Sequence, residues 1–222
     1  MLAQEIRSDI EERQKLMLQI ETLYTRYSFN EEDEQLFLVY SIPTIYAIWE
    51  GFIDISFRAY IQELNKINLT VDTVCEPILI LHLESKFKQL KEYPKNNDKK
   101  VVLFNSLNKF YTERVIEINT TVNTRSNVKF DVLNEILESF NLKTILPYLE
   151  PRNSLKQKLD NMVIARNAVA HGQYNEDKIK REDLKSRQKD LENNVKLVNI
   201  LMNLVLERIL EGFESKSYLL IT

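Results

Sequence analysis

The stretch from Phe37 to Leu64 constrains this chain more than any other. Ile45, Ile48, Trp49, Phe52, Ile53, Phe57, Tyr60, Ile61 and Leu64 recur mostly at steps of three and four, the spacing of one helical face. A face so rich in aromatic and aliphatic side chains needs cover from several other elements. This helix is therefore expected at the centre of the fold, with Leu36, Phe37 and Tyr40 on its first turns. Asn30 suits its N-cap, and Glu31, Glu32 and Asp33 follow where the macrodipole favours acids. The pattern runs to about Lys66, and Pro43 inside it should kink or split the helix.

Turn-forming residues are scarce, with 3 glycines and 5 prolines among 222 residues. Sandwiches and barrels need many such turns, so an all-β fold is disfavoured. A hydrophobic share of 44% is enough for a core, and excludes a chain disordered throughout. The net charge of −3 excludes a polycation that coats nucleic acid, though not a local basic patch. Cys75 stands alone and reads as a small buried apolar residue. With His82 and His171 as the only histidines, no Cys/His zinc cluster is expected, and no cofactor. No uninterrupted apolar run reaches about 18 residues, so no membrane span is expected. Met1 to Glu12 is polar and mixed in charge, unlike a signal or transit peptide. The expectation is a soluble, cytoplasmic protein.

The remaining segments also read as helices. Gln4 to Ser28 has helical spacing and forms an N-terminal arm over 1–30, with the bundle over 31–222 of a single domain. Asp72 is a candidate cap for a helix through Pro77 and Ile78 to Glu92, and Pro94 to Asp98 reads as a loop. Lys99 to Thr124 stays open between helix and extended chain, since its second half is β-branched. A short helix is expected over Val128 to Phe140. Asn153 or Ser154 caps the next helix, which ends near His171 with Gly172 as its C′ residue. Asn175 caps a long last helix, about Asp177 to Phe213. The fold class is all-α, a bundle of five to seven helices.

Most catalytic signatures are missing. Gly51, Gly172 and Gly212 stand apart, so there is no phosphate-cradling loop. The exception is Met162 to Gly172, where Arg166, Asn167 and His171 interrupt small and apolar residues. Burying an unpaired guanidinium costs several kcal/mol, so such a residue calls for a reason. Asn167 and His171 lie about 40° apart on a helical wheel, whereas Arg166 and His171 lie about 140° apart. Arg166 and His171 converge only if the helix end unwinds or a second copy faces the first. The structural alternative is an ordinary helix C-terminus: His171 complements the macrodipole, and Arg166 meets a buried carboxylate of a neighbouring helix. His82 reads as a core-edge or surface histidine.

At Arg166-Asn167-Ala168-Val169-Ala170-His171-Gly172 the sequence resembles the HEPN family, whose signature is an Arg, a polar residue, a short spacer and a His. The context is similar too: the motif closes one helix, a long charged helix follows, and an earlier helix carries an aromatic–acid pair, here Trp49-Glu50. Thr124 to Lys129, followed by Leu133, looks like the connection in prokaryotic HEPN proteins of toxin and phage-defence loci. The resemblance implies a helical bundle with motif helix 153–171. It also implies a metal-independent endoribonuclease that acts as a homodimer with a composite cleft, and a toxin that needs an antitoxin or other neutralising partner.

The residue types suit that chemistry. RNA supplies its own nucleophile, the 2′-hydroxyl. An imidazole serves as acid or base near neutral pH, and a guanidinium grips phosphoryl oxygens and stabilises developing charge. In this reading Arg166 and His171 are catalytic, and Asn167 orients His171 or binds a phosphate oxygen. Glu50 would anchor Arg166 across the bundle, and Tyr174 would stack on a base or simply be a half-buried loop aromatic. Lys178, Lys180 and Arg181 open a basic run that would follow an RNA backbone, or would be a solvated helix face. Two other readings compete. One is a HEPN module that binds a nucleotide or a protein without cleaving RNA. The other is a coiled-coil scaffold, which the bulky residues Trp49, Phe52, Phe57 and Tyr60 fit poorly.

Overall fold

A computed structural model of the chain describes residues 1–87, 93–122, 124, 127–150, 153–174 and 183–220. Among them are eight helices, one a single turn, and one two-stranded hairpin. They are α1 (Leu2–Glu21), α2 (Leu23–Arg26), α3 (Glu31–Lys66), α4 (Glu76–Lys86), α5 (Asn97–Glu113), α6 (Phe130–Ser139), β1 (Tyr148–Glu150), β2 (Asn153–Ser154), α7 (Leu155–Ala170) and α8 (Leu184–Glu214). The fold is all-α, as expected, with the single-turn α2 taking the helix count beyond seven.

Helix α3 is the central element. Asn30 caps it, its side chain accepting from the Asp33 N–H at 2.9 Å. Trp49, Phe52, Ile53, Phe57, Tyr60 and Leu64 are wholly buried. Helices α1, α7 and α8 pack around it. By length and composition α3 alone among the described helices would suit a membrane span, but its apolar face is the core of this bundle. Pro43 does not split α3. Packed side chains on both sides of it, Leu38 and Val39 before and Ile45 and Tyr46 after, hold the helical path. The first turns face differently from expectation: Leu36 and Tyr40 are exposed, while Leu38 and Val39 point inward.

Several boundaries also differ, each for a local reason. The expected helix 4–28 breaks at Thr22. There the Thr22 hydroxyl donates to the Leu18 carbonyl, and Arg26 donates to that of Gln19, so side chains take over the last-turn acceptors. Asp72 does not cap α4. It pairs with Arg114 at 2.8 Å, and Cys75 occupies the N-cap position. Helix α4 ends at Lys86, and the rest of its expected course, 88–92, lies outside the described residues. Asn96 is a cap rather than a loop residue, its side chain accepting from the Asp98 N–H, and α5 follows. The last helix is capped at Asp183, so it starts at Leu184. The expected cap Asn175 lies outside the described residues.

Residues 114–122, left open by the sequence, leave α5 through a left-handed Arg114 and run extended. Two side chains replace a strand partner for this segment. Asn65 on α3 accepts from the Ile118 N–H and donates to the Ile118 carbonyl, each at 2.9 Å. His82 on α4 places Nδ1 at 3.0 Å from the Glu117 nitrogen and 2.7 Å from its carbonyl oxygen, so either neutral tautomer keeps one bond. His82 is thus a buried core residue, not an edge or surface one. Burial holds its imidazole below the usual histidine range, and Lys86 adds to that.

Candidate active site around the α7 C-terminus

Helix α7 is built as its sequence suggests. The Ser154 hydroxyl accepts from the Gln157 N–H at its start. At its end Gly172 takes φ +67°, its N–H bonds the Val169 carbonyl at 3.0 Å, and the Gln173 N–H bonds that of Ala168 at 2.8 Å. This pair of bonds is a Schellman ending, and it needs a residue that tolerates a left-handed backbone. His171 is therefore the C-cap, exposed, in a defined place at the mouth of the turn. Leu155, Leu159, Met162, Val163 and Val169 bury the opposite side of α7 against the core.

Arg166 lies on that inner side, half-buried. Its guanidinium carbon stands 4.9 Å from the centroid of the Tyr46 ring on α3. Its Nη1 donates to the Asn167 side-chain oxygen at 2.8 Å. Both partners are neutral. Among the described residues no carboxylate lies within ion-pairing distance of Arg166. The buried carboxylate of the structural alternative is not what holds this cation.

Tyr46 ties three segments together. It is almost wholly buried, and its hydroxyl oxygen accepts from the Val128 N–H at 2.7 Å. One helical turn on, the Trp49 indole N–H donates to the Val128 carbonyl at 3.3 Å. The backbone just before α6 is thus gripped at both its polar groups by α3. Phe130, the first residue of α6, gives its N–H to Asp160 of α7 at 3.1 Å, which ties the same segment to the motif helix. Burial above all, with the neighbouring Glu50 carboxylate, pushes the Tyr46 phenol up to about 12. It stays protonated across the physiological range, with Glu50 beside it as a proton acceptor.

Each expected site residue can now be placed. Arg166 and Asn167 are joined side chain to side chain. His171 contacts Asn167 only through the backbone, its N–H on the Asn167 carbonyl at 3.0 Å. Asn167 therefore steadies Arg166 rather than the imidazole, because its oxygen is already engaged. Glu50 does not ion-pair with Arg166; it acts on Tyr46, which in turn carries the guanidinium. Tyr174 is half-buried and faces away from this cluster. It lies 5.9 Å from the guanidinium of buried Arg187 and lines a groove of about 400 Å³ between α3, α7 and α8. Lys178, Lys180 and Arg181 lie outside the described residues. Tyr46 was missed by sequence reasoning; its signal was the four-residue spacing to Glu50, which puts both on one face. Among the described residues no three His, Cys, Asp or Glu side chains gather as a metal site would need.

A family model described as RiboL-PSP-HEPN matches residues 6–204. No curated protein and no solved structure matches the chain. The matched span takes in α1, the central α3, the Arg166–His171 helix and most of α8. The chain belongs to the RiboL-PSP-HEPN family.

Proposed function

We propose that this protein is an endoribonuclease that cleaves RNA by attack of the 2′-hydroxyl on the adjacent phosphorus, without a metal ion. The observation that carries the reading is Arg166. A cation is kept half-buried on neutral partners, close in sequence to an exposed imidazole at the end of the same helix. A guanidinium neutralised by no carboxylate retains its charge for an anion such as a phosphodiester. In the proposed reaction His171 moves a proton at the 2′-hydroxyl or at the leaving 5′-oxygen, and Arg166 stabilises the phosphorane charge. The products are a 2′,3′-cyclic phosphate and a 5′-hydroxyl.

The active species in this reading is a homodimer. Arg166 faces the core and His171 faces out, so one chain alone does not bring them to one phosphate. Ile164, 60% exposed, and Ala168 share the outer face of α7 with His171, which suits a second α7 across a two-fold axis. Such a nuclease in the cytoplasm would endanger its host. A role as a toxin of a toxin–antitoxin or abortive-infection system, held in check by a neutralising partner, follows from the activity.

The outward placement of His171 also favours a second reading, a helical module that binds a nucleotide or a protein and cleaves nothing. One experiment separates the two. Purified protein is incubated with total RNA in EDTA, beside His171→Ala and Arg166→Ala, and fragment ends are analysed. Cyclic phosphate ends from the wild type alone are expected. Equal fragments, or none, from all three folded proteins would remove the nuclease reading for those substrates.

A further inference from the structure

We propose that Tyr46 is the positioning residue for Arg166: its ring is the platform that fixes the guanidinium, and through it Glu50 acts on the motif. The part of this that concerns cleavage rests on the ribonuclease reading; the part that concerns Arg166 does not.

The argument starts from what an arginine side chain needs. Its long stem has many rotamers, and a guanidinium that must meet a phosphate in one orientation loses rate to every other. Helix α7 supplies one restraint, the bond from Nη1 to Asn167. A single bond leaves the plane free to turn about it. The Tyr46 face at 4.9 Å supplies the second restraint, and the two together define a plane.

The platform is itself held on several sides. Its hydroxyl oxygen takes the Val128 N–H, and Val128 is held again by Trp49. A phenol has one proton to give, and the Glu50 carboxylate beside it is the acceptor. A phenol that donates to a carboxylate carries more electron density on its ring, which strengthens its hold on a cation. Glu50 is thereby coupled to Arg166 without touching it. The arrangement also explains how Arg166 is kept charged and half-buried without a carboxylate. Any direct ion pair would compete with the phosphate for the same N–H groups, whereas a ring face engages none of the five donors.

The test uses the full chain with Tyr46→Phe, which keeps the ring, and Tyr46→Leu, which removes it. Nitrogen-15 NMR of the arginine side chains reads Arg166 directly, assigned by its loss in Arg166→Ala. An Nε–H resonance shifted upfield by the ring is expected in the wild type and in Tyr46→Phe, and is expected to vanish in Tyr46→Leu. An unshifted Arg166 resonance in the wild type overturns the proposal, whether or not Tyr46→Leu folds. Cleavage forms the second arm. Tyr46→Leu should lower the rate at saturating RNA by up to about 30-fold while Tyr46→Phe stays within a few-fold of wild type. A wild-type rate in folded Tyr46→Leu overturns the proposal. A wild type that cuts no RNA, with the NMR pattern intact, sinks the nuclease reading and leaves the platform standing.

Discussion

Gly212 offers a sharp quantitative test of the packing. It lies buried near the end of α8, in helical conformation, against the turn that follows α6. A Cβ built there would stand 2.1 Å from Leu142 Cδ2 and 3.0 Å from the Ser217 hydroxyl. Ordinary contact begins near 3.4 Å, so Leu142 would have to retreat by more than 1 Å. Leu142 is itself 5% exposed and packed in the core, so it has little room to move. Overpacking of this kind costs about 1–3 kcal/mol. Replacing Gly by Ala inside a helix returns about 1 kcal/mol of propensity. Gly212→Ala should therefore destabilise by about 1 kcal/mol net. The sign should reverse in a Leu142→Ala background, where the obstructing methyl is gone and the propensity gain remains. Urea unfolding followed by circular dichroism reads both backgrounds, provided the m-values agree. The expected coupling in the double-mutant cycle is about 2 kcal/mol. An equal effect of Gly212→Ala in the two backgrounds would refute the steric reasoning.

Three further outcomes follow from the same structure. Gly172→Ala should cost about 1 kcal/mol in urea unfolding, because φ +67° strains an L residue although nothing crowds the site; Gly172→Asn should cost less, and equal stability of all three would contradict the Schellman ending. His82 is held neutral by burial, so the unfolded chain takes up a proton first. Stability should fall as pH drops from about 6.5 towards the lower folded value, and His82→Gln, which keeps an acceptor for the Glu117 N–H, should flatten that slope in unfolding measurements across the window. Tyr46 runs the opposite way: its phenol is raised to about 12, so the unfolded state ionises first above pH 10. Stability should decline between pH 10 and 12 by about 2–3 kcal/mol for this group, and an unchanged alkaline slope in Tyr46→Phe would count against it.

The elements that local spacing governs were legible in the sequence. Asn30, Ser154 and Gly172 sit where cap chemistry placed them, and the face from Ile45 to Leu64 is buried as its period required. Misreadings cluster where a tertiary contact outbids local preference. Asp72 looks like a cap until Arg114 claims it, and Thr22 looks helical until its own hydroxyl takes the Leu18 carbonyl. The β-branched run after Val115 was ambiguous because its partners are not strands but two side chains, Asn65 and His82, on different helices. Glu50 was legible as part of the site, but not the ring that stands between it and Arg166.

What the sequence by itself determined is the set of helices, their caps, and the presence of Arg166, Asn167 and His171 at one helix end. Those depend on neighbours three or four residues away, which a linear pattern records. Tertiary structure alone decided that Arg166 turns inward onto Tyr46, that Val128 is gripped by Tyr46 and Trp49, and that His171 is left facing out. Those outcomes depend on which helix faces pack together, a choice set by burial over the whole bundle rather than by any stretch of chain.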